Sequence, residues 1–160
     1  MPCNGLTETR KAIQSLRATP LEDLGLAQAL GEYAEAATQQ EGIQLHLNLP
    51  KGIERLPPGV EQCFYRIGQE ALVNAARHAQ AKSLWVLLEQ TASELQMEIK
   101  DDGVGFDLQA VESGRHFGLQ GMHERAQIIN ASLEITSRPG EGTHLRLSWH
   151  DENSRAGVLR

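Results

Sequence analysis

An alternating run that empties into glycine does most to limit how this chain can fold. In Leu95-Gln96-Met97-Glu98-Ile99-Lys100, the residues Leu95, Met97 and Ile99 share one face, as in a half-buried strand. The next seven residues are Asp101-Asp102-Gly103-Val104-Gly105-Phe106-Asp107. The strand therefore delivers a carboxylate into a glycine-rich turn. Gly103 and Gly105 can take positive φ or let a ligand approach the backbone closely. A buried Asp101 needs a hydrogen-bond donor, which an amino group on a purine ring would supply. Asp-Asp-Gly is also an ordinary turn between strands, so the rest of the chain has to decide.

Around this stretch helical and strand patterns mix. Leu6, Ala12, Ile13 and Leu16 suggest a short amphipathic helix with Thr7 as N-cap, ended by Ala18-Thr19-Pro20. A second helix runs from Glu22 or Leu24 to Glu41, stopped by Gly42. Ile43 to Leu49 alternates as a strand with His46 facing outward. The longest helical pattern is Val60 to Ala79, followed by strands Ser83 to Thr91 and Glu94 to Asp101. A helix from about Leu119 to Asn130 precedes strands Leu133 to Ser137 and Thr143 to Trp149, and the tail from Asp151 is expected to fray. The order suits an α+β fold: a two-layer α/β sandwich, one mixed sheet with helices on a single face.

A chain of 160 residues is one domain, or one domain with a helical appendage. A net charge of -6 argues against nucleic-acid binding through a broad basic surface. Cys3 and Cys63 make neither a disulfide framework nor a metal cluster, so a reducing compartment fits. No apolar run approaches the roughly 20 residues that span a bilayer, and the first residues lack a signal-peptide core. A cytoplasmic piece without direct membrane contact is expected, whether or not a parent protein is anchored.

Within the long helix, Glu70, Asn74 and Arg77 form one stripe: Asn74 lies about 40° round from Glu70 and Arg77 about 20° to its other side. Cys63 and Ile67 project into the same sector. Oxygen ligands beside a guanidinium suit Mg²⁺ with attached phosphates, although surface charges give the same pattern. His78 could stack on a base or simply meet the helix dipole. Further on, Gly114-Arg115-His116-Phe117-Gly118-Leu119-Gln120-Gly121-Met122 sets glycines around a helix start, where free N–H groups can hold an anion. The polar loop Asp107 to Phe117 stands between a purine-type turn and a phosphate-type helix start, as a lid would, and Phe117 could pack on the closed site.

Three stretches, Gln69 to His78, Asp101 to Phe106 and Phe117 to Met122, resemble in order and spacing the N, first glycine and second glycine boxes of the ATP-binding catalytic domain of sensor histidine kinases. The resemblance is closest to the subfamily that partners response regulators with helix-turn-helix output domains. Gly140-Glu141-Gly142-Thr143 resembles the final glycine-threonine box, and the whole covers roughly Leu45 to Trp149. It implies a Bergerat-type fold that binds Mg²⁺-ATP. Asn74 matches the Mg²⁺-binding asparagine and Glu70 the acidic residue one turn before it, which together would be the catalytic pair. Arg77 matches a basic residue near the phosphates, His78 a residue beside adenine, and Asp101 the adenine-reading aspartate. Gly103, Gly105, Gly118 and Gly121, with Phe117 and Leu119, match the frame of the pocket and lid, and Thr143 the threonine under the base.

Residues 1–41 are similar to the end of a dimerisation region and its linker helix, 42–150 to the catalytic domain, and 151–160 to a flexible tail. In this family the phosphoacceptor histidine lies upstream, before an acidic residue, yet no histidine precedes His46, and His123-Glu124 reads as a surface pair. The resemblance therefore implies a catalytic fragment of a histidine kinase. Its partners would be a phosphoacceptor domain absent from this chain and a response regulator. The alternatives are a serine kinase of the anti-sigma-factor type, an ATPase of the gyrase and heat-shock group, and a non-catalytic nucleotide-binding module.

Overall fold

The computed structural model describes residues 20–54, 56–109 and 117–152. The helix expected over Leu6 to Leu16, most of the lid loop and the end of the tail lie outside them. Helices α1 (Pro20–Leu24) and α2 (Leu26–Gln39) come first, then strand β1 (Gln44–Asn48) and helix α3 (Pro58–Arg77). Strands β2 (Ser83–Gln90) and β3 (Glu94–Asp101), helix α4 (Phe117–Ile128) and strands β4 (Ser132–Ser137) and β5 (Thr143–His150) complete the order. The single helix expected before Gly42 is divided at Gly25, which takes a φ of 82°. Pro20, expected to end a helix, begins one, because a proline in the first turn forfeits no helical hydrogen bond.

One mixed sheet in the order β1-β2-β3-β5-β4 forms the second layer. β1 and β2 are parallel, joined through α3, and the other pairs are antiparallel. The fold is the expected two-layer α+β sandwich. Phe64, Ile67 and Leu72 of α3 are fully buried against Leu84, Leu88, Leu95, Met97 and Leu147 of the sheet. Leu26, Leu30 and Ala34 of α2 share the same core. Gly68 lets the helices meet, since a Cβ there would lie 2.6 Å from Leu30 Cδ1. Burial pushes the Cys63 thiol up to about 11, so this cysteine packs as an apolar residue that donates to the Arg125 carbonyl at 3.1 Å. No helix among the described residues is long and apolar enough to cross a membrane.

The strand register fixes what meets what. Across the helix-facing side one row runs Leu45, Leu84, Asp101, Thr143, Ser137, and the next runs Leu47, Val86, Ile99, Leu145, Ile135. The first row changes from apolar to polar half-way along, and the change occurs where β3 runs out into its glycine turn. On the opposite side, His46 stacks on Trp85 with ring centroids 5.2 Å apart, and Arg146 bonds Glu98 at 2.7 Å. These groups are largely solvated, so they add little to stability.

Candidate functional site

Over the polar end of the sheet lies a cleft of about 520 Å³. Helix α3, with the two residues that follow it, forms one wall with two stripes, Glu70, Asn74, His78 and Ala71, Ala75, Ala79. Residues four apart sit one turn above one another, so one face carries polar groups towards the mouth and the next carries alanines too small to fill the space. Ile99, Ile135 and Leu145 make an apolar bed beside Asp101 and Thr143, while Gly118, Leu119 and Met122 close the side at the start of α4. Gly105 and Phe106 complete the rim.

Of the residues singled out from sequence, Glu70, Asn74, His78, Asp101, Gly105, Gly118, Leu119 and Thr143 line this one cleft. Arg77, Gly103 and Gly121 are outside its lining. The expected stripe ran through Arg77; the lining instead steps from Asn74 to His78. Arg77 falls about 20° behind Glu70 on the helical wheel, whereas Asn74 and His78 lie about 40° and 80° ahead, towards the alanines. Phe117 opens α4, and its side chain lies outside the described residues.

The glycine turns are shaped by protein backbone. A Cβ on Gly103 would collide with the carbonyl oxygen of Ala79, which accepts the Val104 N–H at 2.7 Å and ties the turn to the end of α3. The ligand approach expected at Gly103 is thus an approach of the chain to itself. Gly142, at a φ of 73°, would drive a Cβ into the Asp101 carbonyl oxygen. Gly118 faces Glu70: a Cβ there would meet Oε1, so the carboxylate sits against the first turn of α4.

Asp101 is 5 % exposed and accepts the Gly103 N–H at 2.9 Å. Burial pushes its carboxyl up from the ordinary value, opposed by the N–H groups of Gly103 and Thr143. Its neighbour Asp102 points outward and accepts the N–H groups of Lys82 and Ser83 at 2.8 and 2.9 Å, pinning the turn to the start of β2. The Ser83 N–H leads in holding Asp102 below the ordinary Asp value. A depressed acid stabilises the fold above its unfolded value and ceases to as pH falls through the folded one. The stability difference between wild type and Asp102→Ala is accordingly expected to stay level near neutrality and to shrink below about pH 4, measured by denaturant midpoints across pH.

Ser137 was not visible as a site residue from sequence. Its buried hydroxyl accepts the Phe106 N–H at 2.9 Å, donates to the Gly142 carbonyl at 3.0 Å and meets Thr143 Oγ1 at 2.9 Å. A serine closing a strand is chemically ordinary; pairing with Thr143 is what gives it this position. Ala71, Ala75 and Ala79 belong to the apolar periodicity of the Val60 to Ala79 helix pattern, which by itself marks them as core positions and not as a cleft wall.

Residues 59–153 match the family described as histidine kinase-, DNA gyrase B-, and HSP90-like ATPase. The chain is 37% identical over 146 residues to the signal transduction histidine-protein kinase/phosphatase DegS of Brevibacillus brevis, covering 91% of this chain and 37% of that protein. It is 32% identical over 142 residues to the oxygen sensor histidine kinase NreB of Staphylococcus carnosus (strain TM300), covering 89% of this chain and 41% of that one. The chain therefore spans well under half the length of either relative. Its fold resembles the histidine kinase domain of the Erythrobacter litoralis EL346 blue-light activated histidine kinase, with a TM-score of 0.66 at 20% identity over 78% of this chain and 64% of that one.

Proposed function

Because the chain belongs to the histidine kinase-, DNA gyrase B-, and HSP90-like ATPase family, we propose that it binds Mg²⁺-ATP in the cleft and presents the γ-phosphoryl group to a histidine on a dimerisation domain supplied by another chain segment. The observation that carries this reading is that Asp101 at the end of β3 and Asn74 on α3 open into one cleft, with Gly118 and Leu119 at a helix start beside them. Residues 1–41 would then be the end of that dimerisation region and its linker, with 42–150 the catalytic domain and 151–160 a tail. The next recipient would be a response-regulator aspartate.

Each wall has a task. The carboxylate of Asp101 accepts from an amino group of the base, over the apolar bed of Ile99, Ile135 and Leu145 and against the alanine stripe, with Thr143 beneath. His78 flanks the base, and the first turn of α4 from Phe117 through Gly121 offers N–H groups to the phosphates, with Arg77 near them. Glu70 and Asn74, one turn apart, are oxygen donors of the kind Mg²⁺ takes when the remaining positions belong to phosphate and water. When bound, Mg²⁺ would neutralise phosphate charge. The protein's own contribution is to orient the nucleotide and to shield it from water, and such positioning accounts for most of what this chemistry requires.

The test mixes this chain with γ-labelled ATP and a separately made dimerisation domain of a DegS-type kinase. Acid-labile, base-stable label on that domain, absent with Asn74→Ala, is the expected result. Label on a serine, or rapid ATP hydrolysis by the chain alone that Glu70→Ala abolishes, would replace this reading.

A further inference from the structure

The hydroxyl of Ser137 has one proton and spends it on the Gly142 carbonyl, which can only accept. It already receives the Phe106 N–H. Its 2.9 Å contact with Thr143 Oγ1 must then be filled by the threonine's proton. Thr143, which lines the cleft, is left with lone pairs alone to offer a ligand. Beside it in the same sheet row stands the carboxylate of Asp101. The floor of the cleft therefore carries two adjacent groups that accept and do not donate.

We infer that Ser137 is a positioning residue for base selection: by capturing the Thr143 proton, it makes the floor favour a 6-amino purine and repel a 6-oxo purine. This rests on the nucleotide reading above and adds to it the way the two purines are told apart. An amino group supplies donors to such a floor, whereas a carbonyl at the same place sets lone pairs against lone pairs. Without Ser137, the Thr143 hydroxyl is released to turn and donate, and the 6-oxo base gains a partner. A purely structural role for Ser137 would weaken both bases alike.

The experiment titrates this chain with Mg²⁺-ATP and Mg²⁺-ITP by calorimetry and compares the ratio of affinities. Ser137→Ala is expected to lower the preference for ATP about tenfold, roughly the value of one hydrogen bond changing sign. Ser137→Thr, which keeps the hydroxyl, should hold the ratio near wild type. In a Thr143→Val background, adding Ser137→Ala should leave the ratio unmoved. An unchanged ratio in folded Ser137→Ala overturns the inference, even where both affinities drop. If Ser137→Ala does not fold, the other two variants decide: the idea fails if Ser137→Thr loses the preference or Thr143→Val keeps it in full. Absence of ATP binding by wild type would remove the nucleotide reading and this inference together. Binding that Asp101→Ala abolishes, with a ratio indifferent to Ser137, would remove this inference alone.

Discussion

Asp101→Ala is expected to lower Mg²⁺-ATP affinity by on the order of 100-fold, since one charge-assisted hydrogen bond to the base disappears from a buried position on the cleft floor. Calorimetric titration at neutral pH measures it, with thermal melting to show that the fold persists. Retention of near-wild-type affinity would sink the assignment of Asp101 to the base. The raised pKa of this carboxyl adds a second signature. The ionised form is the better acceptor, so wild-type affinity should decline on acidification at a pH above the ordinary Asp value of about 3.9. Stability of the ligand-free fold moves the other way. A carboxyl whose pKa is raised on folding disfavours the native state as pH climbs from the unfolded value through the folded one. Acid thus suits the empty fold and harms binding, and Asp101→Ala should abolish both slopes.

Gly142→Ala is the second large effect. The residue takes a φ of 73°, and its added methyl would strike the carbonyl oxygen of Asp101, which is backbone and has no rotamer to retreat into. The left-handed conformation costs about 1–2 kcal/mol for a residue with a Cβ, and overpacking adds about 1–3 kcal/mol. A loss of about 3 kcal/mol lowers Tm by on the order of 10 °C in a domain of this size. Nucleotide binding should fall too, because Asp101 and Thr143 lie on either side of the strained contact. Gly121→Ala is the matched control. Its added methyl meets nothing within 4 Å among the described residues, at the end of the first turn of α4, so the fold should keep its Tm or gain slightly. Equal damage from both substitutions would show that the crowding at Gly142 is not what destabilises the fold.

Much of this was legible in local pattern. The alternation of β3 gave Asp101 its face, and the spacing of α3 put Glu70 and Asn74 together, because both depend on periods that a sequence carries openly. What stayed hidden depends on contacts between distant segments. Ser137 acquires its role from the β4–β5 register, and Gly103 from meeting the end of α3, neither of which has a local signature. Arg77 and His78 both stood out in the sequence, and that His78 lines the cleft while Arg77 does not follows from how the helix is rotated against the sheet, which local spacing does not carry. The break at Gly25 was missed because the apolar spacing continues across it, so periodicity alone sees one helix.

The parallel pairing of β1 with β2 has a practical consequence for anyone trimming the chain. The family signature begins at residue 59, inside α3, but the edge partner of β2 and the cover over one flank of α3 are both encoded earlier. A recombinant piece cut to the signature would leave the β2 backbone unpaired along one side and bare the surface on which Leu26, Leu30 and Ala34 rest. Such an open edge invites self-association. The smallest unit that keeps this sheet edge and core covered is therefore longer than the recognisable one, and its start belongs ahead of α1.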